Sequence, residues 1–221
     1  MEPQLWADIQ AALSGLSANL SSAAAGADLY EAYVWSLVLE AAQNEGATIV
    51  LRDRAGNSPS SFWFRTSPSS IFSSNHNYCH AEIRFTDCPV LEAHVGIYVA
   101  GRSQVAHECD VAVVYQSEAQ TCRDENVHPR SGKAPLTVEC KYYINSSIGI
   151  GLGRAFLGLL NDIYNGDRFF VGTRQSNSVG KLFAKHKKHY ELGLSPLNSR
   201  LEDRLRNAFE RVFRDFKHAA A

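Results

Sequence analysis

Between residues 47 and 143 the apolar residues recur mainly at every second position, and this period constrains the fold more than any other feature of the chain. Alternation of two places successive side chains on opposite faces of a strand. The segments ATIVLRD (47–53), SFWFRT (61–66), CHAEIRF (79–85), LEAHVGIYVAG (91–101), HECDVAVVY (107–115) and LTVECKYY (136–143) all read as strands. They are rich in β-branched and aromatic residues, which fit a pleated, half-buried surface. Residues 116–135 are polar, with prolines at 129 and 135, and read as a long loop.

Helical spacing appears on both sides of this block. A first helix is predicted over 3–16, with Pro3 in the tolerated first turn and Gly15 near its end. Residues 17–27 are a Ser/Ala-rich connection to a second helix. There Asp28 is placed to cap LYEAYVWSLVLEAAQ, and Gly46 to stop it. A Gly-rich turn after the last of these strands opens a helix over 151–164, and RFFVGTR (168–174) is a further strand. Beyond it NSVGKLFAKHKKHYEL and SRLEDRLRNAFERVFRDFKH read as helices, with Ser199 and Glu202 at the spacing of a capping box. Helices, several strands, a helix, a strand and helices make a mixed α/β sheet flanked by helices. With 221 residues the chain is expected to be one domain, with a core over 25–190 and a C-terminal helix over 199–218.

Apolar residues at 45% and charged residues at 20% are ordinary for a soluble globular chain. No apolar run approaches the roughly 20 residues of a spanning helix, so no membrane partner is expected. The N-terminus carries Glu2 and Asp8 and lacks a basic start, which argues against a secretory leader and for a cytoplasmic setting. The 5 cysteines form no CxxC pair and read as small buried thiols. A zinc site from Cys79, His80, Cys88 and His94 lacks the usual paired spacing. The net charge of -1 excludes a globally basic protein but leaves room for a local basic patch.

The chemistry concentrates on two apolar strands that carry charge. In VECKYY, Glu139 and Lys141 share one face while Val138, Cys140 and Tyr142 share the other. Such a pair is costly to bury, so it belongs near an open end of the sheet. In HECDVAVVY, Glu108 and Asp110 share a face in the same way. Asp110 and Glu139 on neighbouring strands can converge, and two carboxylates at one point repel unless a cation separates them. Oxygen ligands suit a hard ion, Mg²⁺ or Mn²⁺. Lys141 beside that ion is placed to orient a water, to stabilise charge on a phosphate, or to act as a base if its pKa falls.

These residues resemble the PD-(D/E)XK nuclease superfamily, whose motif is an Asp on one strand and (Asp/Glu)-x-Lys on the next. Here that reads Asp110, then Glu139-Cys140-Lys141, with 28 residues between Asp110 and Glu139. Cys109 stands where the proline that names the motif would precede Asp110. The resemblance extends over roughly residues 25–190. It implies a restriction-endonuclease-like fold and a helix before the sheet bearing a further glutamate. Glu31 is the candidate for it, and Glu40 its competitor. It also implies Mg²⁺-dependent endonuclease cleavage, with DNA the first substrate and bacterial restriction, repair or antiviral defence the setting. Asp110, Glu139 and Glu31 would be the metal ligands, with Lys141 completing the catalytic set. The rival readings are a catalytically silent nucleic-acid-binding or scaffold module, and a nuclease directed at RNA or activated by a ligand. A bland reading also exists, in which Glu139 and Lys141 are an edge-strand ion pair and Asp110 caps a turn.

Other motifs are less specific. SSIGIGLGRAF follows a strand and opens a helix, but Gly149, Gly151 and Gly153 miss the G-x-G-x-x-G spacing at Arg154. Close helix–sheet packing is the better reading, with Arg154 a candidate phosphate contact or a surface ion-pair residue. In KLFAKHKKH, Lys181, Lys185 and Lys188 recur at helical spacing and suit phosphate-backbone contacts, or simply a solvated face. The stripe Leu201, Leu205, Ala208, Phe209, Val212, Phe213 and Phe216 covers the core or forms a homodimer seam. No separate sensing domain is evident, so any regulator is expected to act through oligomerisation or a partner.

Overall fold

The computed structural model describes residues 26–220 apart from Ser61, Thr66 and His76. The helix expected over 3–16 lies outside them. The chain begins with α1 (Gly26–Asn44), then β1 (Thr48–Asp53), β2 (Cys79–Arg84), β3 (Leu91–Ala100), β4 (Ala106–Tyr115) and α2 (Gln116–Glu125). It continues with β5 (Leu136–Lys141), α3 (Ile150–Leu159), β6 (Asp167–Gly172), α4 (Asn177–Lys185), β7 (His189–Leu192) and α5 (Ser199–Ala220). The seven strands form one sheet in sequence order. β1 to β5 pair antiparallel; β6 is parallel to β5 and β7 parallel to β6. The described residues thus form one α/β domain with a mixed sheet between helices. Among them no helix is long and apolar enough to cross a membrane.

Helix α1 is apolar almost all round, with Leu29, Tyr30, Tyr33, Trp35 and Val38 all buried. An all-round apolar helix must be covered on every side. The sheet covers one side through Ala93, Val95, Val111, Val113, Val138 and Cys140, and α5 covers another. The apolar stripe on α5 is consumed in this contact, with Phe209 edge-on to Phe169, so it does not form a dimer seam. The opposite sheet face holds two smaller clusters. Ile97, Val99, Ala112 and Val114 pack under α2 through Ala119 and Cys122. Phe170 packs under α3 and α4 through Phe156, Val179 and Phe183.

Several expectations are corrected. Residues 62–65 make only an isolated bridge; Phe62 and Phe64 instead pack on Trp35. The polar stretch 116–135 contains α2 and a short 3₁₀ turn (Ser131–Lys133), fixed by a two-pronged ion pair from Arg130 to the buried Glu118. The helix expected over 151–164 ends at Leu159, where a tight turn leads to Asp162. Asp162 bonds Ser103 and His107 and so ties this turn to the β3–β4 hairpin. The predicted helix through Leu192 stops at Lys185. Lys187 takes a left-handed φ of 51°, and His189–Leu192 becomes a strand. Asp28 lies within the first turn of α1 and not ahead of it. Asn198, not Ser199, precedes α5 and accepts from the Leu201 amide. Gly153 serves helix–helix packing: a Cβ there would lie 3.1 Å from Leu182 Cδ2 on α4.

Candidate active site

Strands β4 and β5 are hydrogen-bonded partners only where Val111, Ala112 and Val113 face Val138, Thr137 and Leu136. Beyond that point they part. β4 continues beside β3, and β5 continues beside β6 as far as Lys141 and Gly172. The result is a fork, and Asp110 and Glu139 are the first residues past the last pair. The Cys140 amide, on the side where β5 has parted from β4, donates to Asp110 Oδ2 at 2.6 Å. A side-chain carboxylate thereby replaces a backbone carbonyl in the ladder, which keeps the buried amide satisfied.

Gly96 contributes to the fork. It stands between Val95 and Ile97, which face Val111 and Cys109, and so lies opposite Asp110. Its φ is +61°, a conformation that residues with a Cβ rarely adopt. On either side of it the strand changes face: Ala93 and Val95 join the α1 core, whereas Ile97 and Val99 join the cluster under α2. On β4, Val111 and Cys109 divide in the same way.

Glu31 projects from the first half of α1 into the same region. Burial, then Asp110, Asp28 and Glu108 push its carboxyl up to about 9, with Lys141 opposing. Asp110 is 5% exposed, and burial and Glu139 raise its pKa as well, against Lys141 and the Cys140 amide. Glu108 is raised by burial and by Glu139. Burial works against the Lys141 ammonium, but Glu139 and Asp110 outweigh it, and the net pKa is above the ordinary lysine value. Lys141 Nζ lies 2.5 Å from Glu139 Oε1. Without a bound ion, these carboxylates favour the charged form of Lys141.

Glu31, Glu108, Asp110 and Lys141 therefore act on one another, and Glu139 acts on Asp110, Glu108 and Lys141, although no three of these carboxyl groups bring ligand atoms within 4.8 Å of one another. Burial first, and then crowding, raises Glu31, Glu108 and Asp110, a cost that a bound cation would offset. The donors are all oxygens, which fits a hard divalent ion and not a soft one. Glu40 is not part of the group, because Arg206 Nη1 holds it at 3.2 Å. The basic residues lie elsewhere. Arg154 is exposed on α3, and Lys181 and Lys185 are exposed on α4, which packs against α3. Lys188 falls in the turn before β7, off the helical face it was expected to share.

The register of β2 and β3 assembles a second polar cluster, which joins two residues of the suggested zinc set, His80 and His94, to Glu92. His80 stacks on His94 with ring centroids 4.9 Å apart, and Glu92 Oε2 lies 2.9 Å from His94 Nε2 and 3.5 Å from His80 Nε2. Among the described residues this is the trio whose ligand atoms all lie within 4.8 Å of one another. Cys79 and Cys88 lie with the α1 core instead, so the suggested zinc set is not brought together. A cation is nevertheless poorly served here. Arg123 already grips Glu92 at 2.5 and 3.1 Å, and the buried Arg65 stands over Tyr78 nearby. Two guanidinium groups and one carboxylate leave the pocket positive, and burial keeps both histidines neutral, with His80 lowered to about 3. The cluster is a buried ion pair flanked by two neutral histidines.

Comparison with known protein families, curated proteins and solved structures returns no match.

Proposed function

We propose that this chain is a metal-dependent nuclease of the PD-(D/E)XK type that hydrolyses phosphodiester bonds, with DNA the first substrate to test. The observation that carries the reading is the fork between β4 and β5, which has Asp110 on one arm and the Glu139-x-Lys141 pair on the other, with Glu31 close enough to act on Asp110 and Lys141. The order of elements supports it: a glutamate-bearing helix, antiparallel strands with the Asp and Glu-x-Lys, then a helix and a parallel strand. This is the order that the restriction-endonuclease-like resemblance implies.

Asp110, Glu139 and Glu31 would hold Mg²⁺ or Mn²⁺. Such an ion, when bound, polarises a phosphodiester and lowers the pKa of its water. Lys141, beside that ion, would stabilise negative charge growing on the phosphate or orient the attacking water. The Cys140 amide fixes one oxygen of Asp110 and leaves the other for the ion. Arg154, Lys181 and Lys185 offer exposed cations for the phosphate backbone.

The test is cleavage of supercoiled plasmid with Mg²⁺ or Mn²⁺ by the wild type, Lys141→Ala and Asp110→Asn. Loss of one electrostatic stabiliser is expected to slow the reaction by roughly 10²–10³-fold. Asp110→Asn is expected also to lose Mg²⁺ binding in calorimetry. Equal rates for wild type and Lys141→Ala would remove the lysine from the chemistry. The short Lys141–Glu139 ion pair, which engages both side chains with each other, favours one alternative, a catalytically silent module of the same fold. Such a module would retain plasmid binding yet leave the plasmid intact with either ion.

A further inference from the structure

Directly beyond Lys141 the chain lines a cavity of about 160 Å³, enclosed by Tyr142 and Tyr143 from the end of β5 and by Thr173 and Arg174 from the end of β6. Ser195 and Leu197, from the turn before α5, complete the wall. We propose that this cavity seats one unstacked nucleobase, from a nucleotide neighbouring the phosphate that is cleaved. The inference rests on the nuclease reading above and names the part of the substrate that the site would grip.

Position is the first argument. Ligands of open α/β sheets bind off the carboxyl ends of parallel strands, and β5 and β6 are such a pair. The cavity continues the strand that carries Glu139 and Lys141, so a group seated in it is one or two residues along the chain from the proposed chemistry.

Size is the second argument. Pockets for whole drug-sized ligands run from roughly 300 Å³ upwards. A cavity of roughly 150 Å³ admits a single aromatic ring. This one, at about 160 Å³, has the capacity for one ring system.

Chemistry is the third. Tyr143, Ile144 and Leu197 offer apolar surface to a flat ring, while the Tyr142 ring is turned to Tyr30 and the α1 core. Among the described residues no carboxylate lines the cavity, and the exposed Arg174 supplies a cation. A slot with one tyrosine, apolar sides, a cation and no anion suits a flat ring attached to a phosphate. Ile144 at 36% and Leu197 at 61% exposure are two of the large apolar residues left open to solvent, and both border this cavity. The wall is also fixed in advance. Thr173 Oγ1 accepts from the Tyr143 amide at 2.9 Å and donates to the Tyr143 carbonyl at 2.8 Å, while the Thr173 amide donates to the Lys141 carbonyl at 3.1 Å. The tyrosine backbone therefore stays in place without a ligand, which reduces the ordering cost of binding.

The seat predicts a requirement for an unpaired or splayed nucleotide. The experiment is fluorescence anisotropy with a labelled duplex carrying a single-stranded overhang, with Ca²⁺ replacing Mg²⁺. An abasic nucleotide is moved through the overhang one position at a time. At one position the abasic substitution is expected to weaken wild-type binding by roughly 5- to 100-fold, the range for one base stacked on aromatic side chains. Leu197→Asp, at an exposed position that leaves the core intact, is expected to show a similar loss on the intact overhang and almost none further on the abasic one. Tyr143→Phe, which keeps the ring, is expected to bind as the wild type does.

Wild-type binding that ignores the abasic position, in a protein that still cuts plasmid with Mg²⁺, would overturn the seat and leave the nuclease reading intact. Competition by a free nucleoside monophosphate at the concentration that suffices for the oligonucleotide would overturn the assignment to a polymer. A base-dependent signal with no cleavage under Mg²⁺ or Mn²⁺ would support the seat and overturn the nuclease. Absence of any oligonucleotide binding would overturn both.

Discussion

Glu31 carries its charge at a high cost in the metal-free protein, and its consequences are measurable. Its folded pKa of about 9 lies above the ordinary carboxyl value of 4.5, so between these limits the folded chain binds more protons than the unfolded one. Stability then falls as pH rises through that window, because stability increases with pH only where the unfolded state holds the extra proton. Thermal unfolding without metal is expected to show a Tm that declines from pH 5 to pH 9. Glu31→Gln keeps the shape, removes the titration and is expected to be more stable at pH 8 by about 1–3 kcal/mol. A Tm that rises over that range in the wild type would show that Glu31 is not held protonated. Arg123 is the opposite case. It neutralises Glu92, which is 1% exposed, so Arg123→Ala leaves a buried carboxylate without its guanidinium and is expected to cost about 3–5 kcal/mol in denaturant unfolding.

At the scale of elements, β3 depends on one residue. Gly96 adopts φ +61° opposite Asp110, and Arg65 Cβ would lie 3.5 Å from an added Cβ. Space is therefore adequate and conformation is the obstacle. Gly96→Val is expected to cost about 1–3 kcal/mol in stability and to reduce Mg²⁺ affinity, because the strain is relieved by moving the strand next to Asp110. An unchanged affinity would separate the bend in β3 from the fork. The strands themselves are legible in the sequence: period two and β-branched residues outline β1 to β6 within a few residues. α2 is not, because only Glu118, Ala119 and Cys122 among its residues are buried and an ion pair with Arg130 does much of the fixing. β7 escapes notice because four residues, His189–Leu192, are too few to display a period after a helix. Asp110, Glu139 and Lys141 can be picked out because charge on an apolar strand needs an explanation. Arg174 and Thr173 cannot, since their relation to Tyr143 arises only when β6 pairs with β5. The His80–Glu92–His94 cluster likewise needs the β2–β3 register, in which Ala81 faces Ala93.

For the whole molecule, α1 is the common element. It packs against α5 and the sheet with one part of its surface and delivers Glu31 to the fork with another. Stability and site geometry are therefore coupled through one helix. Phe209 on α5 is fully buried and lies edge-on to Phe169 on β6 at 4.8 Å between centroids. Phe209→Ala is expected to cost about 3–5 kcal/mol, with the loss read in the urea midpoint. If the folded fraction of that variant still binds Mg²⁺ as the wild type does, α5 supports α1 without adjusting it.

The parting of β4 and β5 has a mechanical corollary. A sheet whose ladder is complete resists shear, whereas one with a cleft can open or close about the last closed rung, here Val111 and Val138. The Asp110 carboxylate spans that cleft to the Cys140 amide, so a ligand drawing on its oxygens would compete with this link between the two strands.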